Sequence, residues 1–194
     1  MGSAKPVIAR WLARTFGQWE RLYVIRLVNM SPRDDDESAR IVAFQHRTAV
    51  TEQVITQIRK YKSEYGVAQF LDQWFSRGAT LWLYFINEDV VGVQWTIPRG
   101  FDGFYSVPIG SGEIIIVAVE VFPPFRGRGL YPKMASRLHW ELGRAGYTCA
   151  YLKVATSNRP MLRSMSKISA ESLGEVYTRR LGQKWLTIWG RSRP

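Results

Sequence analysis

Val121-Phe122-Pro123-Pro124-Phe125-Arg126-Gly127-Arg128-Gly129-Leu130-Tyr131 is the stretch on which the reading of this chain turns. Before it runs Glu113–Val121, the most strand-like segment in the sequence, whose nearly continuous apolarity predicts a strand buried on both faces at the centre of an α/β sheet. After it, Leu130, Met134, Leu138, Leu142 and Ala145 recur at helical spacing, Pro132 stands where a first-turn proline is tolerated, and Gly146 follows the end. The turn between alternates two glycines with two arginines. Glycine lets a backbone approach a ligand closely. The first N–H groups of a helix lack internal partners and, with the helix dipole, favour an anion. Arg126, Arg128 and Lys133 supply charge for phosphate oxygens. No Gly-Lys-Ser/Thr follows, so this is not a Walker loop, and the glycine spacing is not that of the dinucleotide fingerprint.

Working outward, Leu81–Ile86 and Val90–Ile97 flank a short polar turn and predict a hairpin. Leu22–Val28 and Thr148–Ala155 read as strands, Gly174–Thr178 and Trp185–Trp189 as closing strands, and 41–49 leans towards a strand. Thr51–Tyr65, Val67–Ser76 and Asn158–Ile168 read as helices. Residues 6–19 predict an amphipathic basic helix, and residues 1–19 are set off as an N-terminal extension from a domain over 20–194. A contact with an anionic membrane, a cap packed on the domain and a homodimer contact all suit that extension.

At 194 residues with 46% hydrophobic and 22% charged residues, the composition is that of a globular domain and excludes disorder as the main state. No apolar run is long enough to span a membrane. One cysteine, Cys149, excludes an internal disulfide and a cysteine-based zinc cluster, and no metal is expected. It suits a reducing setting, and the expected location is the cytoplasm, with the inner membrane surface as an alternative site of work. The net charge is +11, and residues 120–194 hold fourteen basic against four acidic side chains. Such a field draws phosphates, nucleic acid or anionic lipid. The aromatics follow core periodicity rather than interleaving with basic residues on an exposed face, so nucleic acid ranks last.

The Arg126–Tyr131 turn, between its strand and helix, resembles the acetyl-CoA signature Arg/Gln-x-x-Gly-x-Gly/Ala of the GCN5-related N-acetyltransferase (GNAT) superfamily. Arg126 and Gly129 match, and Tyr131 departs from the final Gly/Ala. The Arg-Gly-x-Gly-Leu-Tyr-Pro form resembles the subgroup associated with bacterial polysaccharide or nucleotide-sugar modification. The resemblance covers about residues 80–190 and implies an α/β fold with a mixed, mostly antiparallel sheet flanked by helices, its fourth and fifth strands splayed. It implies pantetheine pairing with the backbone of Val119 and Val121, diphosphate on Arg126, Gly127, Arg128, Gly129, Leu130 and Tyr131, and a coenzyme contact at Asn158. The implied reaction is acetyl transfer from acetyl-CoA to the amine of a small, anionic acceptor such as a nucleotide-linked amino sugar. A protein or peptide amine, transfer to oxygen, a longer acyl chain, and a noncatalytic CoA- or partner-binding module are the alternatives.

An amine must lose a proton before it attacks, and a carboxylate is the expected base. Glu113, thirteen residues before Arg126, stands at the spacing of the base in the histone acetyltransferases of the superfamily; Glu120 ends the same strand beside an expected backbone bulge. Many members protonate the departing thiolate with a Tyr seven residues after the Asn; here that residue is Met165. Ser164, Ser166, Tyr151, Tyr177 and water remain as donors. Phe101, Tyr105 and Trp95 are the residues expected to line the acceptor pocket, while His139 is expected on the surface.

Overall fold

The computed structural model describes residues 18–28, 38–61, 64–98, 107–181 and 184–190. Eight strands form one sheet in the order β2-β3-β4-β5-β6-β1-β7-β8. The strands are β1 (Gln18–Arg26), β2 (Ala39–Phe44), β3 (Thr80–Ile86), β4 (Asp89–Ile97), β5 (Glu113–Val121), β6 (Cys149–Ala155), β7 (Ala170–Leu181) and β8 (Lys184–Trp189). The helices are α1 (Glu52–Arg59), α2 (Glu64–Phe75), α3 (Leu130–Arg144) and α4 (Arg159–Met165). Every neighbouring pair is antiparallel except β5 and β6. The expected mixed, mostly antiparallel α/β sheet is therefore present.

Local chemistry explains the elements. Thr51 caps α1 by accepting from the Val54 N–H at 3.4 Å. Asn87, at φ 53°, makes the β3–β4 turn, a left-handed position that asparagine tolerates. One sheet face packs Leu81, Leu83, Val93, Trp95, Ile97, Ile115 and Val117 against Ile55, Ile58, Val67 and Leu71 of α1 and α2. The other sets Tyr23, Ile25, Ile114, Ile116, Ala150 and Leu152 against Tyr131, Ala135, Leu138 and Leu142 of α3. The helix sits so close that a Cβ on Gly92 would lie 2.6 Å from the Met134 methyl and 2.9 Å from the Glu120 carbonyl oxygen.

Four expectations are revised. β1 starts at Gln18, so 18 and 19 belong to the sheet and not to an N-terminal helix; residues 1–17 lie outside the described residues. The ambiguous segment near 41–49 supplies β2 and then a short 3₁₀ turn, which makes the splayed strands the fifth and sixth in chain order. His139 is buried at 2% exposure because the apolar side of α3 is wider than one stripe. β5 is buried on both faces only through Val117; Ala118 is exposed and Val119 to Val121 are half-buried.

Candidate active site

β5 and β6 pair only from Glu113–Ile116 to Cys149–Leu152. Beyond Ile116 the β6-facing edge of β5 has no partner in β6, and the strands part. On its other side, β5 slips register against β4 between Val93↔Glu120 and Trp95↔Val117. Two residues, Ala118 and Val119, thus stand against Gln94, and Ala118 takes φ 48°. This is a bulge. It re-aims the main chain of β5 where the sheet opens. Gln94, opposite the bulge, is 1% exposed, and its Nε2 has no hydrogen-bond partner among the described residues. A buried amide donor without an acceptor costs free energy, which suits a site built to receive a polar ligand.

β5 leads through a 3₁₀ turn, Pro123–Phe125, to the glycines. Gly127 and Gly129 lie at φ 77° and 70°, and a Cβ on either would meet nothing within 4 Å. Gly129 is the N-cap of α3 and offers no side-chain cap, so the first-turn N–H groups face a turn with open space above it. Arg128 and Lys133 are exposed there, and the Arg128 guanidinium lies 5.8 Å from the Phe125 ring centroid. These residues suit a diphosphate: donors, glycines and positive charge meet at one helix start. Arg126 points elsewhere. Its Nη2 reaches Glu120 Oε1 at 3.2 Å and its Nε donates to the Val121 carbonyl at 2.8 Å, so it ties the turn to the end of β5. Asn158 caps α4, its side-chain oxygen accepting from the Met161 N–H at 3.2 Å.

The two carboxylates share a face of β5 but not a place. Glu113 alternates with Ile115 and Val117 towards the α1–α2 side, and the bulge returns Glu120 to that side. Seven residues separate them, about 23 Å along a strand. Both Glu113 oxygens are engaged, one by the Tyr151 hydroxyl at 3.1 Å and the other by the Gly110 N–H. Burial, then the Glu113 hydrogen bond, push the Tyr151 phenol up to about 12. Glu120 lies two residues past Ala118, at the mouth of the split and half-buried under Arg126.

Leu130 and Tyr131 are each 8% exposed. Tyr131 packs between α3 and α4, and its hydroxyl donates to Met165 Sδ at 3.5 Å. Burial raises the Tyr131 pKa well above the usual phenol range. The expectation that Trp95 lines an acceptor pocket is corrected. It is 0% exposed, 4.9 Å from Phe75 and 6.2 Å from Trp74 between ring centroids, because its strand faces α2 there. Phe101 and Tyr105 lie outside the described residues.

A polar group that sequence reasoning missed lies on β6 just past its pairing with β5. Lys153 Nζ meets Glu20 Oε2 at 2.8 Å, with side-chain exposures of 3% and 10%, and Thr178 Oγ1 donates to the same oxygen at 3.2 Å. Its signal was Lys153 in an alternating apolar strand. Gln94 was similarly visible as the one amide in a run of apolar residues on β4. Among the described residues, no cluster of three or more His, Cys, Asp or Glu is placed to hold a metal ion, and no helix is long and apolar enough to cross a membrane.

No protein-family profile and no curated protein sequence matches the chain. Solved structures do. A GNAT-family protein from Novosphingobium aromaticivorans DSM 12444 superposes with TM-score 0.54 at 14% identity, over 82% of this chain and 61% of its own. A tandem GNAT protein from the clavulanic acid biosynthesis pathway gives 0.58 at 12% identity, over 100% of this chain and 61% of its own. A GCN5-related N-acetyltransferase from Sphaerobacter thermophilus gives 0.53 at 15%, over 90% and 56%. The chain has the GNAT fold. It spans about three fifths of the length of these structures, and at such identities the likeness concerns architecture.

Proposed function

We propose that the chain is an acetyl-CoA-dependent N-acetyltransferase acting on the amine of a small anionic acceptor, of the nucleotide-linked amino sugar type. The observation that carries this reading is the bulge at Ala118, where a parted β5 runs straight into an uncapped, glycine-lined helix start. Fourteen basic side chains in residues 120–194 suit both the coenzyme's phosphates and a second anionic ligand.

Acetyl-CoA supplies an acyl group activated as a thioester. The N–H groups opening α3, with Arg128 and Lys133, hold its diphosphate, and the edge of β5 beyond its pairing with β6, from Val117 to Val121, hydrogen-bonds its arm. A main-chain N–H re-aimed by the bulge serves as donor to the carbonyl oxygen of the acyl group. Glu120 accepts the proton that the attacking amine gives up, and Arg126 orients that carboxylate. The Tyr131 hydroxyl, already donating to a sulfur atom, donates a hydrogen bond to the departing thiolate, which takes its proton from water. Glu113 closes the loop before β5 and holds Tyr151, a structural task at the far end of the strand.

Thermal melts with acetyl-CoA, longer acyl-CoAs and free CoA test the coenzyme, since a ligand that binds the native state raises Tm. Thiol release over a panel of amino sugars and nucleotide-linked amino sugars tests the acceptor. No CoA-dependent shift overturns the reading as a whole. A shift without thiol release from any amine makes the chain a CoA-binding module instead.

A further inference from the structure

The two edges of the sheet are β2 and β8, and they are finished differently. β2 carries Arg40, which is paired with Glu88 and lies over the Phe85 ring; a charged edge residue of this kind discourages pairing with another chain. β8 reads Lys184-Trp185-Leu186-Thr187-Ile188-Trp189, with no charge, proline or glycine after its first residue. Leu186, Ile188 and Trp189 are 41%, 48% and 45% exposed. Leu186 and Ile188 lie on one face of the strand and Trp189 on the other. Exposure on both faces of one strand points to a missing lateral neighbour, because a layer laid over one face would leave the other open.

The register names that neighbour. The Gly190 N–H donates to the Glu175 carbonyl at 2.8 Å, so the main-chain groups of 186, 188 and 190 turn inward to β7. By alternation, those of Trp185, Thr187 and Trp189 turn outward. The segment 185–189 is a palindrome in residue type: Trp, Leu, Thr, Ile, Trp.

We propose that β8 pairs antiparallel with β8 of a second copy about a two-fold axis at Thr187, joining two sheets into one. That register sets Trp185 opposite Trp189, Leu186 opposite Ile188, and Thr187 opposite itself. The three outward residues are then matched with one another, so each narrow pair exchanges both its hydrogen bonds. Aliphatic and threonine cross-strand pairs are favourable ones. Lys184 falls opposite Gly190, which carries no charge. The isologous contact closes on itself and leaves β8 no further edge to offer. Five residues of edge span only about 17 Å. The buried area therefore sits below the ~1,200 Å² of standard interfaces, the size of a reversible contact.

Sedimentation velocity across micromolar concentrations tests this with the full chain. Two variants accompany it. Thr187→Pro deletes an outward N–H while sparing the bonds to β7, and edge strands accept proline. Ile188→Lys adds a charge without touching the backbone. The expected result is a wild type that passes from monomer to dimer with concentration, and variants that stay monomeric and melt as the wild type does at dilutions where it too is a monomer. A wild type that is monomeric throughout, or an Ile188→Lys protein that dimerises as the wild type does, overturns the proposal. Co-sedimentation with phosphatidylglycerol vesicles by a monomeric wild type, lost in Ile188→Lys, would assign the strand to a lipid surface and overturn it as well. None of these readings depends on acetyl transfer.

Discussion

Gly129→Glu separates coenzyme binding from folding. A side chain at this position meets nothing within 4 Å, so no clash arises. The cost to the free protein is the left-handed backbone at φ 70°, about 1–2 kcal/mol for an L-residue. A carboxylate at a helix start returns about 0.3–1 kcal/mol through the dipole. The net loss of about 1 kcal/mol lowers Tm by only about 2–4 °C for a chain of this size. The bound state behaves differently. A carboxylate about 5 Å from a diphosphate, at an effective dielectric near 20, is repelled by about 3 kcal/mol per unit charge, a loss of at least 100-fold in affinity. At a coenzyme concentration 100 times the wild-type Kd, stabilisation is about 2.7 kcal/mol, or about 5–11 °C. The same concentration then gives the variant about 0.3 kcal/mol, near 1 °C. Gly129→Ala, with the same backbone strain and no charge, keeps most of its shift. Scanning fluorimetry of the three proteins with acetyl-CoA decides the matter. A folded Gly129→Glu protein with the full wild-type shift would refute the placement of the phosphates.

Other perturbations reach other parts of the argument. His139 is held neutral by burial, its pKa lowered from 6.5 to about 4. The unfolded chain therefore takes up that proton first as pH falls; stability is full above about pH 6.5 and drains towards pH 4 by about 3 kcal/mol, a slope that His139→Leu should remove from melts compared side by side. Lys153→Met strands the buried Glu20 carboxylate and should cost about 3–5 kcal/mol, most of it regained in the double variant Lys153→Met with Glu20→Leu. Glu120→Gln and Tyr131→Phe should each lower kcat by about 100-fold or more with little change in the KM for acetyl-CoA, whereas Glu113→Gln should lower Tm and spare kcat. An unchanged kcat in Glu120→Gln would remove it as the base.

The elements that local pattern governs were legible. The hairpin of β3 and β4, the bounds of β5 and the stripe of α3 follow from periods of 2.0 and 3.6 and from turn residues beside them. What was not legible depended on partners far along the chain. His139 looked exposed because one stripe is what a helix shows in sequence, yet α3 also packs Leu130 and Met134 on Val91 and Tyr84. Trp95 looked like a pocket residue near the end of its hairpin, but α2, twenty residues earlier in the chain, covers it. Arg126 carried the motif, and only the folded turn brings its guanidinium back to Glu120.

β5 shows why the same letters read differently once folded. An apolar run says that a segment avoids water; it does not say what provides the cover. Ile114 to Val117 are covered by the chain itself, through β6 and both helical layers. From Ala118 to Val121 that cover is incomplete, although the residues remain mostly apolar. Sequence alone cannot divide the run, because both halves satisfy the pattern of a buried strand. The division falls at one residue held at φ 48°, across from an amide that finds no partner within the fold. Strain and an orphaned donor at one spot persist only where something offsets them. A ligand strand laid along the open edge of β5 would dry its apolar side chains and take up its main-chain groups. It would also extend the sheet across the gap where β6 has turned away.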